Sequence, residues 1–309
     1  MILTVTLNAA LDVTYSVDRL TPHASHRVDA THARAGGKGV NVARVLATLG
    51  HPVTVTGLAG GDTGQLIRAD LRTAGLTAGL GDELVTIAGE SRRTVTVVSR
   101  EDGDATVFNE AGPDVTAEEF AAFTARFAQL AGRASVVVLA GSLPPGLPED
   151  AYGQLVSLAR AAGAATVLDT SGPALLAALS AGPDLVKPNA AELAAVTGHP
   201  EVAAGAAELR ALGARAVVVS SGPDGLQAIT PHGSWRAAPP EHLAGNPTGA
   251  GDACVAGLAA GLATAAPWAD TLREAVALSA AAVLRPAAGD FDQPTYERLR
   301  TTVAVTTTN

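Results

Sequence analysis

The stretch NPTGAGD, residues 246–252, combines residue types that suit phosphate chemistry. Gly249, Ala250 and Gly251 stand directly before Asp252, and a run of small residues with helical periodicity follows. Backbone N–H groups converge at the start of such a helix, where the helix dipole also favours an anion. Any side chain larger than that of alanine would crowd the anion's approach to these amides. The stretch therefore predicts an anion hole made of backbone amides.

Asp252 itself would repel an anion bound at those amides. Its placement suits a general base that removes a proton from an attacking hydroxyl while the amides stabilise a phosphoryl group in transfer. Taken alone, the stretch is also typical of an ordinary helix start that carries an aspartate favoured by the dipole.

A second glycine motif, RAGGKGVNVARVLATLG, covers residues 34–50. Lys38 lies in its glycine-rich turn, and Asn41 lies on the first turn of the helix that follows. The motif has neither the GxxxxGK[ST] spacing of a Walker A loop nor the GxGxxG of a dinucleotide fingerprint. A nicotinamide-dependent dehydrogenase would carry GxGxxG directly after its first strand, where this chain has TLNAALD. The sequence thus argues against that class of enzyme.

The elements that must position these residues alternate along the chain. Apolar runs such as ILTVTL, VTVTGLAG and AVVVSSG are separated by helical segments such as TAEEFAAFTARFAQLAG. This alternation predicts an α/β fold, with a mostly parallel central sheet and helices on both faces. Residues 13–33 and 91–110 instead alternate polar and apolar side chains, and we expect them to form a small β lid with EDGDA, residues 101–105, as a hairpin turn. The α/β core would comprise residues 1–12, 34–90 and 111–309.

Polar residues and glycines recur where the predicted core strands end. They are Asn8, Asp12, Gly60, Gly61, Gly141, Ser142, Asp169, Lys187, Asn189, Ser220 and Gly222. In open α/β sheets, ligands bind at the carboxyl ends of the strands. A single glycine or proline there could simply form a turn. Polar residues or glycines at six strand ends, however, predict a binding site along this edge of the sheet.

Composition and charge narrow the class of protein further. A formal net charge of −9 argues against a nucleic-acid partner or an anionic membrane surface, because such binding needs a basic face. Cys254 is the sole cysteine, so an intrachain disulfide is excluded. The first residues do not resemble a signal peptide, and the longest apolar stretch is shorter than the roughly 20 residues of a membrane span. We therefore expect a soluble, cytoplasmic protein.

The two glycine motifs occur together with KPNAAEL, residues 187–193, and SSGPDG, residues 220–225. This set resembles the ribokinase-like, PfkB-type carbohydrate kinases over essentially the whole chain. TLNAALD, GGKGVNVA, FNEAGP and GSLPPG are similar to the branch of that family that acts on fructose 1-phosphate or tagatose 6-phosphate. Ala9 replaces the proline that is usual in the family, and NPTGAGD replaces DTTGAGD or STVGAGD. Neither departure removes a reacting group.

The resemblance implies roles on the sugar side of the site. Asp12 and Asn41 would hydrogen-bond sugar hydroxyls, and Gly37, Lys38 and Ser142 would line the same pocket. The phosphate that the sugar already carries would be surrounded by Lys38, Arg27 on a lid strand, and Arg92. Adjacent strand residues face opposite sides of a sheet, so only one of Arg92 and Arg93 can face the pocket, and we prefer Arg92.

The resemblance also implies roles on the nucleotide side. The residues expected along ATP are Lys187, Asn189, Ser220, Gly222 and Gly225. Glu192, with Asp169 as a second candidate, would order Mg²⁺ through water. Gly249, Ala250 and Gly251 would form the anion hole, with Asp252 as the base.

The implied activity is ATP-dependent phosphorylation of a ketohexose phosphate. We expect fructose 1-phosphate as the acceptor, with tagatose 6-phosphate and fructose 6-phosphate as alternatives. A catalytically silent sugar-phosphate-binding protein on the same scaffold would be expected to have lost Asp252 or its glycines, and all are present. A requirement for a monovalent cation and a homodimer formed through the lid are left open by the sequence.

Overall fold

The computed structural model describes residues 1–28, 30–101 and 104–308. Its strands are β1 (Ile2–Thr6), β2 (Ala10–Val17), β3 (Ala30–Gly36), β4 (Val53–Gly60), β5 (Leu80–Ile87), β6 (Arg92–Ser99), β7 (Ala105–Asn109), β8 (Val136–Ala140), β9 (Ala165–Asp169), β10 (Leu185–Val186), β11 (Ala216–Ser220), β12 (Leu226–Thr230), β13 (Gly233–Ala237) and β14 (Val305–Thr308).

Its helices are α1 (Lys38–Thr48), α2 (Gly61–Ala78), α3 (Ala117–Ala131), α4 (Ala151–Ala161), α5 (Gly172–Leu179), α6 (Ala190–Thr197), α7 (Val202–Ala211), α8 (Ala250–Ala263), α9 (Trp268–Ala282) and α10 (Gln293–Thr302). None of the helices among the described residues is long and apolar enough to cross a membrane.

A ten-stranded sheet forms the centre of the molecule, in the order β5-β4-β1-β8-β9-β10-β11-β12-β13-β14. The strands from β5 to β11 are parallel, and β12, β13 and β14 continue the sheet in antiparallel pairs. This confirms the predicted α/β fold with a mostly parallel sheet. The antiparallel extension at one edge is an addition to that prediction.

Buried apolar residues pack on both faces of this sheet. Val136 and Val138 of β8 belong to the cluster that contains residues of α1, α8 and α9, whereas Val137 and Leu139 belong to the cluster on the opposite face. Successive strand residues alternate between faces, so a strand covered on both sides must be apolar throughout. The continuous apolar runs of the sequence arise from this double burial.

The second sheet has four strands in the order β3-β2-β6-β7. β2 pairs with β6 in parallel, and the other two pairs are antiparallel, including the β6–β7 hairpin. Asp102 and Gly103, in the predicted turn of that hairpin, lie outside the described residues. β2 begins at Ala10 and β3 ends at Gly36, so both strands reach beyond the lid limits of 13 and 33 expected from the sequence.

Candidate active site

A cavity of about 820 Å³ lies at the carboxyl ends of β10 and β11 and the N-terminus of α8. A cavity of this size suits a ligand such as a nucleotide. Its walls bring together many of the residues selected from the sequence, namely Lys38, Lys187, Asn189, Glu192, Ser220, Gly222, Gly225, Gly249, Ala250, Gly251 and Asp252. These residues are scattered from position 38 to position 252 of the chain, and the strand ends gather them at one edge.

The opposite wall of the cavity is apolar and was not identified from the sequence. It includes Leu226, Pro239 and Leu243, together with Val276 of α9 and Val283 directly after that helix. Their type gives no local signal, because valine and leucine occur throughout the core. Glu241 and His242 also line the cavity.

The start of α8 combines a left-handed glycine with a position that faces open space. Gly249 adopts a left-handed conformation with φ of 87°, and a Cβ added there would lie 2.6 Å from Ala288 Cα. A Cβ added at Gly251 would meet only Lys187 Nζ, at 3.9 Å, so this position faces open cavity. The Ala250 N–H donates to the Pro247 carbonyl oxygen at 3.1 Å. Within the described chain the N–H groups of Gly251 and Asp252 make no hydrogen bond, which leaves them available to an anion.

Asp252 is buried, with 7% of its surface exposed, and Asn41 Nδ2 donates to its Oδ2 at 2.8 Å. Burial and, to a smaller extent, the charge of Asp169 raise the pKa of Asp252 to about 7, against the opposing effects of Lys38, Asn41 and Lys187. A base with a pKa near neutrality can both accept and release a proton at physiological pH. Asn41 was predicted to bind sugar hydroxyls, and in the structure its amide donates to the predicted base, Asp252.

Asp169 lies next to Asp252 and binds two lysines. Its Oδ2 lies 3.2 Å from Lys38 Nζ and its Oδ1 lies 3.3 Å from Lys187 Nζ. Asp169 and Lys187 are only 1% and 4% exposed. Burial alone would raise the pKa of Asp169, but the two ammonium groups outweigh it and hold this pKa below its ordinary value. Burial would lower the pKa of Lys187, but Asp169, with smaller contributions from Cys254 and Glu192, outweighs it and raises this pKa to about 12.

This network changes the interpretation of two residues. Asp169 was a second candidate for ordering Mg²⁺, but its carboxylate is already paired with two cations and it does not line the cavity. We therefore leave it out of the metal set. Lys38 was assigned to the phosphate of the sugar, and in the structure its ammonium group lies at Asp169 while the residue lines the 820 Å³ cavity.

Glu192 lies at the third position of α6, where it forms a capping box with Asn189. The Glu192 N–H donates to Asn189 Oδ1, and the Asn189 N–H donates to Glu192 Oε2, both at 2.8 Å. The box fixes both side chains at the cavity wall. Mg²⁺ in nucleotide sites is held by one or two carboxylates together with water and phosphate oxygens, and Glu192 fits this donor set. No group of three or more acidic, histidine or cysteine side chains that could hold a metal occurs in the described parts of the chain.

The lid strands contain Asp12 and Arg92, whereas Arg27 lies outside them. Arg92 is half-buried, and its Nε donates to the Asn8 carbonyl oxygen at 3.1 Å, while Arg93 is exposed. Arg92 thus faces inward, as preferred from the sequence. Arg27 was expected on a lid strand, but it lies before the start of β3 in an irregular segment and is exposed. Burial raises the pKa of Asp12, and Arg92 is the strongest of the groups that oppose this rise.

Two further predicted residues shape the entrance to α1 and the end of β8. Gly37 caps α1 with φ of 101°, and a Cβ added there would lie 2.6 Å from Thr6 Cγ2. Ser142 accepts a hydrogen bond from Asn8 Nδ2 at 3.2 Å, and the same amide donates to the Ala111 carbonyl oxygen at 2.9 Å. Asn8, expected only to mark a strand end, joins β8 to the segment after the lid.

Comparison with known proteins identifies the class to which this fold and site belong. The model of the pfkB family of carbohydrate kinases matches residues 4–295, and the chain belongs to that family. Membership confirms the predicted resemblance and the prediction of a sugar-phosphate kinase that uses ATP. Kinases of this family generally act with Mg²⁺.

Two curated relatives carry the same name. The chain is 41% identical to the 1-phosphofructokinase of Xanthomonas campestris pv. campestris, over 84% of this chain and 83% of the relative. It is 40% identical to the 1-phosphofructokinase of Rhodobacter capsulatus, over 91% of this chain and 90% of the relative. Among solved structures, phosphofructokinase-2 from Escherichia coli in complex with potassium is 30% identical and superposes with a TM-score of 0.91, over 97% of this chain and 98% of that chain.

Proposed function

We propose that the chain transfers the γ-phosphoryl group of ATP to fructose 1-phosphate and forms fructose 1,6-bisphosphate. The observation that carries this proposal is the buried Asp252, with a pKa of about 7, beside the free amides of α8 and two lysines. The names of the two curated relatives support the choice of sugar. Tagatose 6-phosphate and fructose 6-phosphate are the alternative acceptors.

Asp252 would act as the general base on the attacking hydroxyl. Because its Oδ2 accepts the Asn41 amide, Oδ1 is the oxygen left to take the proton. The hydrogen bond also fixes the plane of the carboxylate, and a fixed geometry is what makes proton transfer efficient. The N–H groups of Gly251 and Asp252 would donate to the phosphoryl oxygens as charge develops on them.

Lys187 and Lys38 would supply positive charge next to the same phosphoryl group. Both ammonium groups are oriented by Asp169, and both line the nucleotide cavity. Glu192 would hold Mg²⁺ through water at the same wall. When bound, Mg²⁺ neutralises charge on the nucleotide phosphates. The apolar wall formed by residues of α9 and the loop before α8 would receive the nucleobase, with Asn189, Ser220, Gly222 and Gly225 along the rest of the nucleotide.

The test of this proposal is a steady-state assay of ADP formation with MgATP. Fructose 1-phosphate, tagatose 6-phosphate, fructose 6-phosphate and free fructose are compared as acceptors at equal concentrations. We expect the highest kcat/KM with fructose 1-phosphate and little turnover of free fructose. A preference for tagatose 6-phosphate would overturn only the choice of sugar. ADP formation that does not rise when any of the four acceptors is added would refute the kinase reaction and favour a non-catalytic binding protein on this scaffold.

We also propose that the lid forms a homodimer contact. All residues of β7 are exposed, and Phe108 is 56% exposed next to Val107. An outer strand with exposed apolar side chains is the kind of surface that pairs with a second copy. Light scattering should give twice the chain mass for the parent protein and the chain mass for Phe108→Glu. A parent protein that scatters as a monomer at assay concentration would contradict this contact.

A further inference from the structure

Arg34 of β3 lies on the same face of the lid as the predicted sugar-binding residues. In the register of the sheet, Asp12 pairs with Arg34 on one side and with Thr94 on the other, and Ala10 pairs with Arg92. Paired residues on adjacent strands share a face, so Arg34, Asp12 and Arg92 project from the same side. The exposed Arg93 projects from the opposite side.

This face of the lid is directed towards the reacting groups of the core. The charge of Asp290 acts on Arg34, and Asp290 follows Gly289 in the chain. A Cβ added at Gly289 would lie 3.1 Å from Asn41 Cα, so this segment packs against the residue that holds Asp252. Arg34 therefore has as charged neighbours both Asp12 of the lid and Asp290, next to the segment that packs on Asn41.

The guanidinium of Arg34 is half-buried and has no direct partner. Among residues 1–28, 30–101 and 104–308 it makes no hydrogen bond and no ion pair. Burial lowers its pKa, and the nearby Arg44 lowers it further, against the attraction of Asp70, Asp290 and Asp12. A cation removed from water without a partner is costly, and a ligand anion would offset that cost.

The carboxylates near Arg34 are largely committed to other cations. Asp70 is paired with Arg44, and Asp290 is paired with Arg285 at 2.9 Å. Asp12 remains, and it faces both Arg34 and Arg92. Glu110 also acts on Arg92, so Arg34 is the arginine of this face that, among the described residues, has no direct partner beside the residue expected to bind the sugar.

We propose that Arg34 binds the phosphate that the sugar already carries, together with Arg92. This inference rests on the proposed function and deepens it, since it adds Arg34 to the cations expected around that phosphate. The planar guanidinium presents paired donors that match phosphate oxygens. Arg34 would thus distinguish sugar phosphates from free sugars.

The experiment compares Arg34→Ala and Arg34→Lys with Arg93→Ala, a matched control on the other face of the same lid. Loss of a charged hydrogen bond to phosphate should raise KM for fructose 1-phosphate by about tenfold to a hundredfold in Arg34→Ala. Arg34→Lys should give a smaller rise in this KM, because lysine keeps the charge but lacks the paired donors of the guanidinium. In both Arg34 variants we expect KM for ATP and the weak turnover of free fructose to stay within about twofold of the parent enzyme. In Arg93→Ala, these two quantities and KM for fructose 1-phosphate should all stay within about twofold.

Calorimetric binding of fructose 1-phosphate without ATP provides a readout independent of turnover. A loss of affinity in Arg34→Ala that exceeds any loss in Arg93→Ala supports the assignment, even if the parent enzyme were to phosphorylate another sugar. Equal affinity in the two variants would overturn it and leave the kinase reaction untouched. An equal loss for free fructose and fructose 1-phosphate would also overturn it, since that result indicates a distorted lid. Arg34→Gln, which keeps most of the side-chain stem, replaces Arg34→Ala if the melting temperature of the latter falls.

Discussion

Gly249 and Gly251 lie two residues apart at the start of α8. We expect a substitution at Gly249 to lower stability and a substitution at Gly251 to lower activity. In Gly251→Val the added Cβ would have only Lys187 Nζ near it, at 3.9 Å, and the backbone needs no left-handed conformation. The stability of the folded state should therefore change by no more than about 0.5 kcal/mol. The branched side chain would nevertheless occupy the space in front of the Gly251 amide, where a phosphoryl oxygen must approach.

The expected loss of activity in Gly251→Val follows from the donor that is blocked. Removing one oxyanion-hole donor typically lowers kcat by about 10²–10³, or about 2.7–4 kcal/mol of transition-state stabilisation. We expect at least this loss of kcat/KM, because the side chain also displaces the phosphoryl group from Lys187. The melting temperature and kcat/KM are measured on the same preparation.

Gly249→Ala is the matched comparison. A left-handed conformation with φ of 87° costs a residue with a side chain about 1–2 kcal/mol, and the contact of 2.6 Å with Ala288 Cα adds about 1–3 kcal/mol. This variant should lose several degrees of melting temperature, whereas Gly251→Val should lose activity at an unchanged melting temperature. A fully active Gly251→Val, or one that unfolds, would refute the assignment of an anion hole to the start of α8.

Two further variants test the base and the network around it. Asp252→Asn can keep the contact with Asn41 but cannot accept the proton, so kcat should fall by about 10²–10⁴ with little change in either KM, and near-normal turnover would exclude a general base here. In the parent enzyme the pKa of about 7 means that kcat/KM should decline below neutrality as Asp252 becomes protonated, to roughly a tenth of its maximum near pH 6. Asp169→Asn removes a charge that raises this pKa and that orients Lys38 and Lys187, so KM for ATP should rise and the acid limb of the pH profile should move to lower pH. An unshifted acid limb would show that Asp169 does not act on the base.

The core of the molecule and one half of the site follow from local sequence patterns. Strands such as β8 are covered on both faces, so their uniform apolar character is by itself enough to indicate a parallel sheet. Lys187, Asn189 and Ser220 could be grouped because the ends of parallel strands meet at one edge. Gly249 and Gly251 could be assigned because their conformation and open surroundings exclude most other residues.

The lid half of the site depends on pairings that no local pattern specifies. The parallel pairing of β2 with β6 joins segments about eighty residues apart, and it decides which side chains lie beside Asp12. The sequence around Arg34 does not single it out, because the residue only precedes a glycine-rich turn. Its pairing with Asp12 in the sheet is what shows which face of the lid it lies on. The placement of Arg27 on a strand was wrong because polar and apolar alternation does not fix the start of β3. The pairing of Asp169 with two lysines likewise depends on three separate segments of the chain.

The position of α8 late in the chain has a consequence for biosynthesis. Asn41 and Asp252, which share one hydrogen bond, are 211 residues apart in sequence. Domains emerge from the ribosome with the N-terminal part first, and contacts of such separation form only when the later partner is available. A nascent or truncated chain that ends before α8 would contain the lid, Lys38 and Lys187 but neither Asp252 nor the free helix amides. Under the proposed mechanism, such incomplete products of translation cannot consume ATP through this reaction.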